Sequence, residues 1–169
     1  VDAVVANPPF RPAVAILKRL LAAGFGRAVL VLPHELADRL TAEPATENYG
    51  RLSVEIGVLA RCELVFHVSR RAFEPAPDVA CAVVKVTPRP GAILPPLLEV
   101  VLDAAWDARA KTLRHSLAPL AETLEIPPQA VTEALALVNG GGRRAQDLTP
   151  WEYATIAFHL ERLKATPAA

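Results

Sequence analysis

The run Asn7-Pro8-Pro9-Phe10 holds the residue types best suited to chemistry in this chain. It directly follows an apolar stretch, Val1 to Ala6, that reads as a buried β-strand. It therefore stands at a strand's carboxyl end, where ligands bind in open α/β sheets. An exocyclic amine on an aromatic base such as adenine is a poor nucleophile, because its lone pair is delocalised into the ring. Two acceptors aimed at its hydrogens, the Asn7 side-chain oxygen and the Pro8 carbonyl, would draw the nitrogen towards tetrahedral geometry. That frees the pair for an electrophilic methyl group. Prolines at positions 8 and 9 limit the backbone to few shapes and preorganise the acceptors. Phe10 offers a face on which an unstacked base can lie. Taken alone, the tetrapeptide equally describes a strand-to-helix turn with an asparagine cap. A second aromatic, Phe73, lies in the proline-rich segment Ala72-Phe73-Glu74-Pro75-Ala76-Pro77-Asp78-Val79, ahead of apolar Ala82-Val83-Val84.

The elements that must position these residues alternate in type. After the opening strand, Val14, Leu17, Leu20 and Leu21 recur at helical spacing within Pro12 to Ala23, and Gly24 and Gly26 punctuate the end. Ala28 to Leu32 reads as a second buried strand, Glu35 to Leu40 as a short helix, and Pro44 to Gly50 as a polar loop. Arg51 to Ala60 fits helix or strand by pattern, and its length and Leu52, Ile56, Leu59 spacing favour helix. Glu63 to Val68 and Val79 to Val86 are the next strands, joined by the loop Arg70 to Asp78. Such alternation predicts an α/β sheet with helices on its faces. Repeated proline from Pro88 to Pro96 marks a boundary, since proline stops both helices and central strands. Beyond it the pattern is helical, and Thr149-Pro150-Trp151-Glu152 predicts a capping box at the start of the last helix. The expected organisation is a catalytic domain over residues 1–88, a linker over 89–96 and a helical domain over 97–169.

Composition narrows the function classes. With 169 residues, 52% of them hydrophobic, the chain can bury a core and is not a disordered segment. Eighteen basic residues balance eighteen acidic ones, so nucleic-acid contact would have to come from local patches. No apolar run is long enough to predict a membrane span. No basic leader opens the chain, so the expected location is the cytoplasm. Cys62 and Cys81 have neither disulfide-framework nor zinc spacing and read as buried residues. The absence of methionine, even at position 1, suggests a piece of a longer reading frame.

Four spaced segments carry a resemblance. Asn7 to Phe10 with Phe73 to Val84, Asn48-Tyr49-Gly50-Arg51-Leu52-Ser53-Val54, Arg109-Ala110-Lys111-Thr112-Leu113-Arg114 and Arg143-Arg144-Ala145-Gln146-Asp147-Leu148 are the four matches. Together they resemble the rRNA adenine dimethyltransferase family of the KsgA type, over nearly the whole chain. The resemblance implies the carboxyl-terminal part of a Rossmann-like methyltransferase sheet followed by a small all-helical, RNA-engaging domain. It implies S-adenosylmethionine as methyl donor, no metal, and small-subunit rRNA or a pre-ribosomal particle as partner, with no obligate protein partner. Asn7 would contact both donor and target amine, the Pro8 carbonyl would assist, Phe10 would stack on the adenine and Phe73 would cover its other face. Three departures stand out. The family's Asn-Leu-Pro-Tyr is Asn7-Pro8-Pro9-Phe10, its Lys-Val-Asp-Ser is Asp78-Val79-Ala80-Cys81, and its glycine-rich donor turn and acidic ribose partner have no counterpart here. The expectation is therefore a carboxyl-terminal portion that is inactive by itself.

Arg70 and Arg71, then Arg109, Lys111 and Arg114, then Arg143 and Arg144 are the candidate RNA contacts, since arginine forks suit phosphate. Asn139-Gly140-Gly141-Gly142 lacks the Gly-Lys-Ser/Thr of a phosphate loop and reads as an interhelical turn. His34, His67, His115 and His159 lack metal-ligand spacing and read as structural, and Trp106 and Trp151 read as core. Two other functions fit parts of the sequence. Asn7-Pro8-Pro9 also suits methylation of a glutamine amide in release factors, and a non-catalytic RNA-binding assembly module would need no donor site.

Overall fold

The computed structural model describes residues 1–165, which form two compact units. The first comprises residues 1–42 and 59–92 and is built on a four-stranded sheet. Its strands are β1 (Ala3–Ala6), β2 (Arg27–Pro33), β3 (Ala60–Val68) and β4 (Cys81–Pro88), in the order β1-β2-β4-β3. β1 runs parallel to β2, and β4 is antiparallel to both of its neighbours. Helix α1 (Ala13–Ala23) joins β1 to β2, and α2 (His34–Thr41) follows β2 without a loop.

The reasons are local. In β2 the alternate residues Ala28, Leu30 and Leu32 are fully buried while Val29 and Val31 are half-buried, the signature of a strand with one face packed. α2 packs on β2, β3 and β4 and buries Ala37 and Leu40. α1 stops at Gly24, whose φ of +79° favours glycine. Two residues on, the amides of Gly26 and Arg27 donate to the carbonyls of Val1 and Asp2. A Cβ on Gly26 would stand 2.6 Å from the Asp2 carbonyl oxygen, so only glycine fits this start of the β1–β2 pairing. β1 was expected to be buried, but it is an edge strand, and Val5 is 84% exposed.

The second unit comprises residues 43–58 and those from 93 onward. It holds α3 (Arg51–Leu59, whose last residue belongs to the first unit), α4 (Leu98–Asp107), α5 (Leu113–Ser116), α6 (Leu120–Thr123), α7 (Pro128–Ala136) and α8 (Pro150–Lys164). Residues 43–58 had been expected in the first domain. Here they pack with the helices: the Tyr49 hydroxyl donates to the Leu148 carbonyl, and Arg51 pairs with Asp103. Tyr49, Trp106 and Tyr153 form an aromatic row with centroid separations of 6.4 and 5.4 Å, in which Trp106, expected in the core, is half-buried. Trp151, also expected in the core, is 49% exposed instead. A Cβ on Gly57 would lie 2.6 Å from the Pro150 ring, so α3 meets the start of α8 at van der Waals limits. At that start the Thr149 hydroxyl accepts from the Glu152 amide, and the Glu152 carboxylate accepts from the Thr149 amide at 2.7 Å, completing the expected capping box. The predicted helix over 51–60 forms over Arg51–Leu59 and passes directly into β3, which starts three residues earlier than its pattern suggested.

Candidate active site and nucleic-acid interface

β2 ends at Pro33, which pairs with Cys81, the first residue of β4, and β3 ends at Val68, which also pairs with Cys81. The turn after β1 and the loop joining β3 to β4 therefore leave the sheet at the same end. This topology brings Asn7, Pro8 and Phe10 to one edge of the sheet end that also carries Phe73.

Within the first turn, Pro8 is buried, Phe10 half-buried and Asn7 exposed. The Phe10 carbonyl accepts from the Ala13 amide at 3.3 Å, and the Pro12 carbonyl from Ile16 at 2.9 Å, so the turn is anchored in α1. No cap bond from Asn7 is used: among the described residues its amide side chain has no hydrogen-bond partner. An unpartnered carboxamide beside a buried proline is free to offer its oxygen to a ligand.

The loop over 69–80 is braced from inside. The Ser69 hydroxyl accepts from the Arg71 amide, the Arg70 carbonyl accepts from the Phe73 amide, and the Arg70 guanidinium donates to the Asp78 carbonyl at 3.0 Å. At its far end the Ala80 carbonyl accepts from the His34 amide at 2.9 Å. Phe73 is thereby held half-buried on a short 3-10 turn. Arg70 staples this loop, whereas Arg71 is exposed and its guanidinium has no partner among the described residues. Sequence spacing gave no sign of a further feature at this end. The rings of His34 and His67 stack at 4.7 Å, with His34 Nδ1 3.0 Å from Asp38. His34 opens α2 directly after β2 and His67 lies in β3, so the fold brings together two rings separated in sequence.

Neither cysteine is poised to react. Burial pushes the Cys62 thiol up to about 12 against the opposing pull of Arg89, and burial also raises Cys81. Among the described residues no group of three or more His, Cys, Asp or Glu is placed to hold a metal ion, and no helix is long and apolar enough to cross a membrane.

In the helical unit the basic residues divide. Arg109 and Lys111 lie on the turn between α4 and α5 rather than in a helix, exposed and unpaired among the described residues. Arg109 and Arg144, thirty-five positions apart by their numbers, line one polar cavity of about 380 Å³ with Tyr49, Trp106, Gln146 and the carboxylate-bearing Glu47. Arg114 is exposed on α5 and lines a different cavity. Arg143 is otherwise engaged. Its guanidinium meets the Glu152 carboxylate at 2.5 and 3.3 Å and the carbonyls of Val138 and Asp147, so it clamps the turn onto α8 rather than reaching for phosphate. Glu152 loses some solvation by its partial burial, but the hydrogen bonds from Arg143 and Thr149 prevail and hold its carboxyl below the usual range.

Residues 3–135 match the family described as ribosomal RNA adenine dimethylase. The ribosomal RNA small subunit methyltransferase A of Synechocystis sp. is 39% identical over 159 residues, 86% of this chain and 54% of that protein. The chain thus spans about half the length of that curated relative. Among solved structures, a dimethyladenosine transferase from Plasmodium falciparum superposes with a TM-score of 0.83 at 21% identity, over 97% of this chain and 68% of the other. The 23S rRNA methyltransferase ErmE gives 0.63 at 25% identity, over 94% and 65%.

Proposed function

Since the chain belongs to the ribosomal RNA adenine dimethylase family, we propose that it carries the target-base site and RNA-engaging helices of an enzyme that dimethylates the exocyclic amine of adenines in small-subunit rRNA, with S-adenosylmethionine as donor. The observation that carries this reading is the exposed, unpartnered Asn7 amide at the sheet end that also bears the braced Phe73 loop.

The chain's own residues have definite parts in it. The Asn7 oxygen and the Pro8 carbonyl accept the two hydrogens of the target amine and hold its lone pair out of the ring plane. Phe10 and Phe73 take the two faces of the extruded base, as aromatic side chains do for bases read outside a helix. The transfer needs alignment and acceptor dipoles rather than a covalent intermediate. The residues present fit only the methyl-bearing end of the donor, through Asn7. Gly24 and Gly26 lie ahead of β2 rather than behind a strand, and Gly140 to Gly142 belong to the helical unit, so nothing described here forms a donor cradle. When bound, S-adenosylmethionine supplies the methyl group. Arg71, Arg109, Lys111, Arg114 and Arg144 engage RNA phosphates.

The test is to incubate the protein, as its source organism makes it, with methyl-labelled S-adenosylmethionine and unmethylated small ribosomal subunits, then digest the rRNA to nucleosides. Label in dimethyladenosine supports the reading. Label that enters a glutamine-bearing release factor offered in a parallel reaction, and not the rRNA, contradicts it. Salt-sensitive RNA binding with no methyl transfer would favour a non-catalytic assembly module.

A further inference from the structure

We infer that the cavity between α5, α7 and the turn over 139–142 is a seat for a second, unstacked nucleotide of the RNA, separate from the base that is methylated. The inference rests on the RNA-binding reading of the helical unit. The cavity measures about 480 Å³, within the range of about 300–1,000 Å³ typical of small-ligand sites. Val131, Leu135 and Pro128 give it apolar walls suited to a flat ring, and Thr132, Asn139 and Arg114 stand around it. Among the described residues, the Thr132 hydroxyl, the Asn139 amide and the Arg114 guanidinium have no hydrogen-bond or ion-pair partner. Among the described residues no carboxylate lines the cavity.

The backbone holds the cation in place. The amides of Leu113 and Arg114 donate to the carbonyls of Arg143 and Gly141, at 2.8 and 3.3 Å, tying α5 to the turn. A Cβ on Gly141 would lie 3.5 Å from Arg114 Nη2, so the guanidinium spreads over bare backbone at the rim. Asn139 holds a left-handed φ of +49°, which an asparagine tolerates better than most residues. Apolar walls for a base, two neutral groups for its edge and one unopposed arginine for its phosphate are the chemistry of a nucleotide.

The experiment titrates the chain with the four nucleoside 5′-monophosphates and follows backbone amide shifts by NMR. It then measures a single-stranded oligoribonucleotide by fluorescence anisotropy. Ala136→Trp and Thr132→Tyr fill the cavity from exposed helix positions, so the fold survives, and circular dichroism checks this. The expected result is monophosphate shifts centred on Arg114, Thr132, Asn139 and Gly141, abolished by either filling variant. Oligonucleotide affinity should fall about tenfold in both variants, the cost of losing one base contact. Shifts centred on Arg109 and Arg144 instead would overturn the seat. Oligonucleotide affinity that is undiminished in the filled variants would also overturn it, while leaving the RNA reading intact. Monophosphate binding here without any oligonucleotide binding would overturn the RNA reading and, with it, the seat as a site for RNA.

Discussion

The hydroxyl of Tyr49 donates to the backbone carbonyl of Leu148 at 2.7 Å, across ninety-nine positions of sequence. Both groups are buried, so the bond decides where the loop ahead of α3 belongs. Removing the hydroxyl in Tyr49→Phe leaves that carbonyl without a partner, at a cost of about 1–3 kcal/mol. Urea denaturation should show that loss as a lower midpoint with an unchanged slope. Burial raises the ionisation of Tyr49 and of Tyr153, the two tyrosines of the chain, well above its ordinary value. The unfolded chain therefore loses these protons first, and stability should decline as pH rises past ~10. Tyrosinate absorbance should appear only with unfolding.

The Arg143–Glu152 clamp makes an acid-side prediction. Because the folded carboxyl is held below its unfolded value, its contribution is complete above the unfolded pKa of ~4.3 and disappears as pH falls through the folded value. Glu152→Gln should lower stability at neutral pH and flatten the decline below pH ~4. An unchanged acid profile would show that the clamp carries no linkage.

Much of the fold is legible in the sequence. The strand over Ala28 to Leu32 and the capping box at Thr149 depend on neighbours within a few residues, and such features show in a sequence; that Val29 and Val31 are only half-buried does not. Helix α3 was readable from its length and its Leu52, Ile56, Leu59 spacing, although of those three only Ile56 is fully buried. Its allegiance was not, because Tyr49 finds Leu148 and Gly57 meets Pro150 only in the folded chain. Arg143 looked like its neighbour Arg144, yet its carboxylate lies nine positions away across a turn, where no periodicity points. The His34–His67 stack likewise exists only because β2 and β3 end beside opposite edges of β4. At the candidate site, the motif named Asn7 and Phe73, and the sheet register explains why they share an end.

Arg109 and Lys111 separate binding from stability. Each is exposed and unpaired among the described residues. Replacing either with alanine should leave the denaturation midpoint unchanged. RNA affinity should weaken, with the slope of log affinity against log salt falling by about one per residue. Arg143→Ala should do the reverse, lowering stability and sparing the salt slope. Equal salt slopes in Arg109→Ala and the parent chain would remove that residue from the RNA contacts.

The central claim is that the Asn7 carboxamide orients the target amine, and single-turnover methyl transfer by an Asn7→Ala variant of the natural protein tests it most directly. Losing one preorganised polar contact to the transition state should slow transfer by about 10²–10³-fold. RNA affinity, measured in parallel, should stay near the parent value, because phosphate contacts elsewhere set it. A variant that transfers methyl groups at the parent rate, or that loses RNA binding and turnover in equal measure, would contradict the role assigned to Asn7.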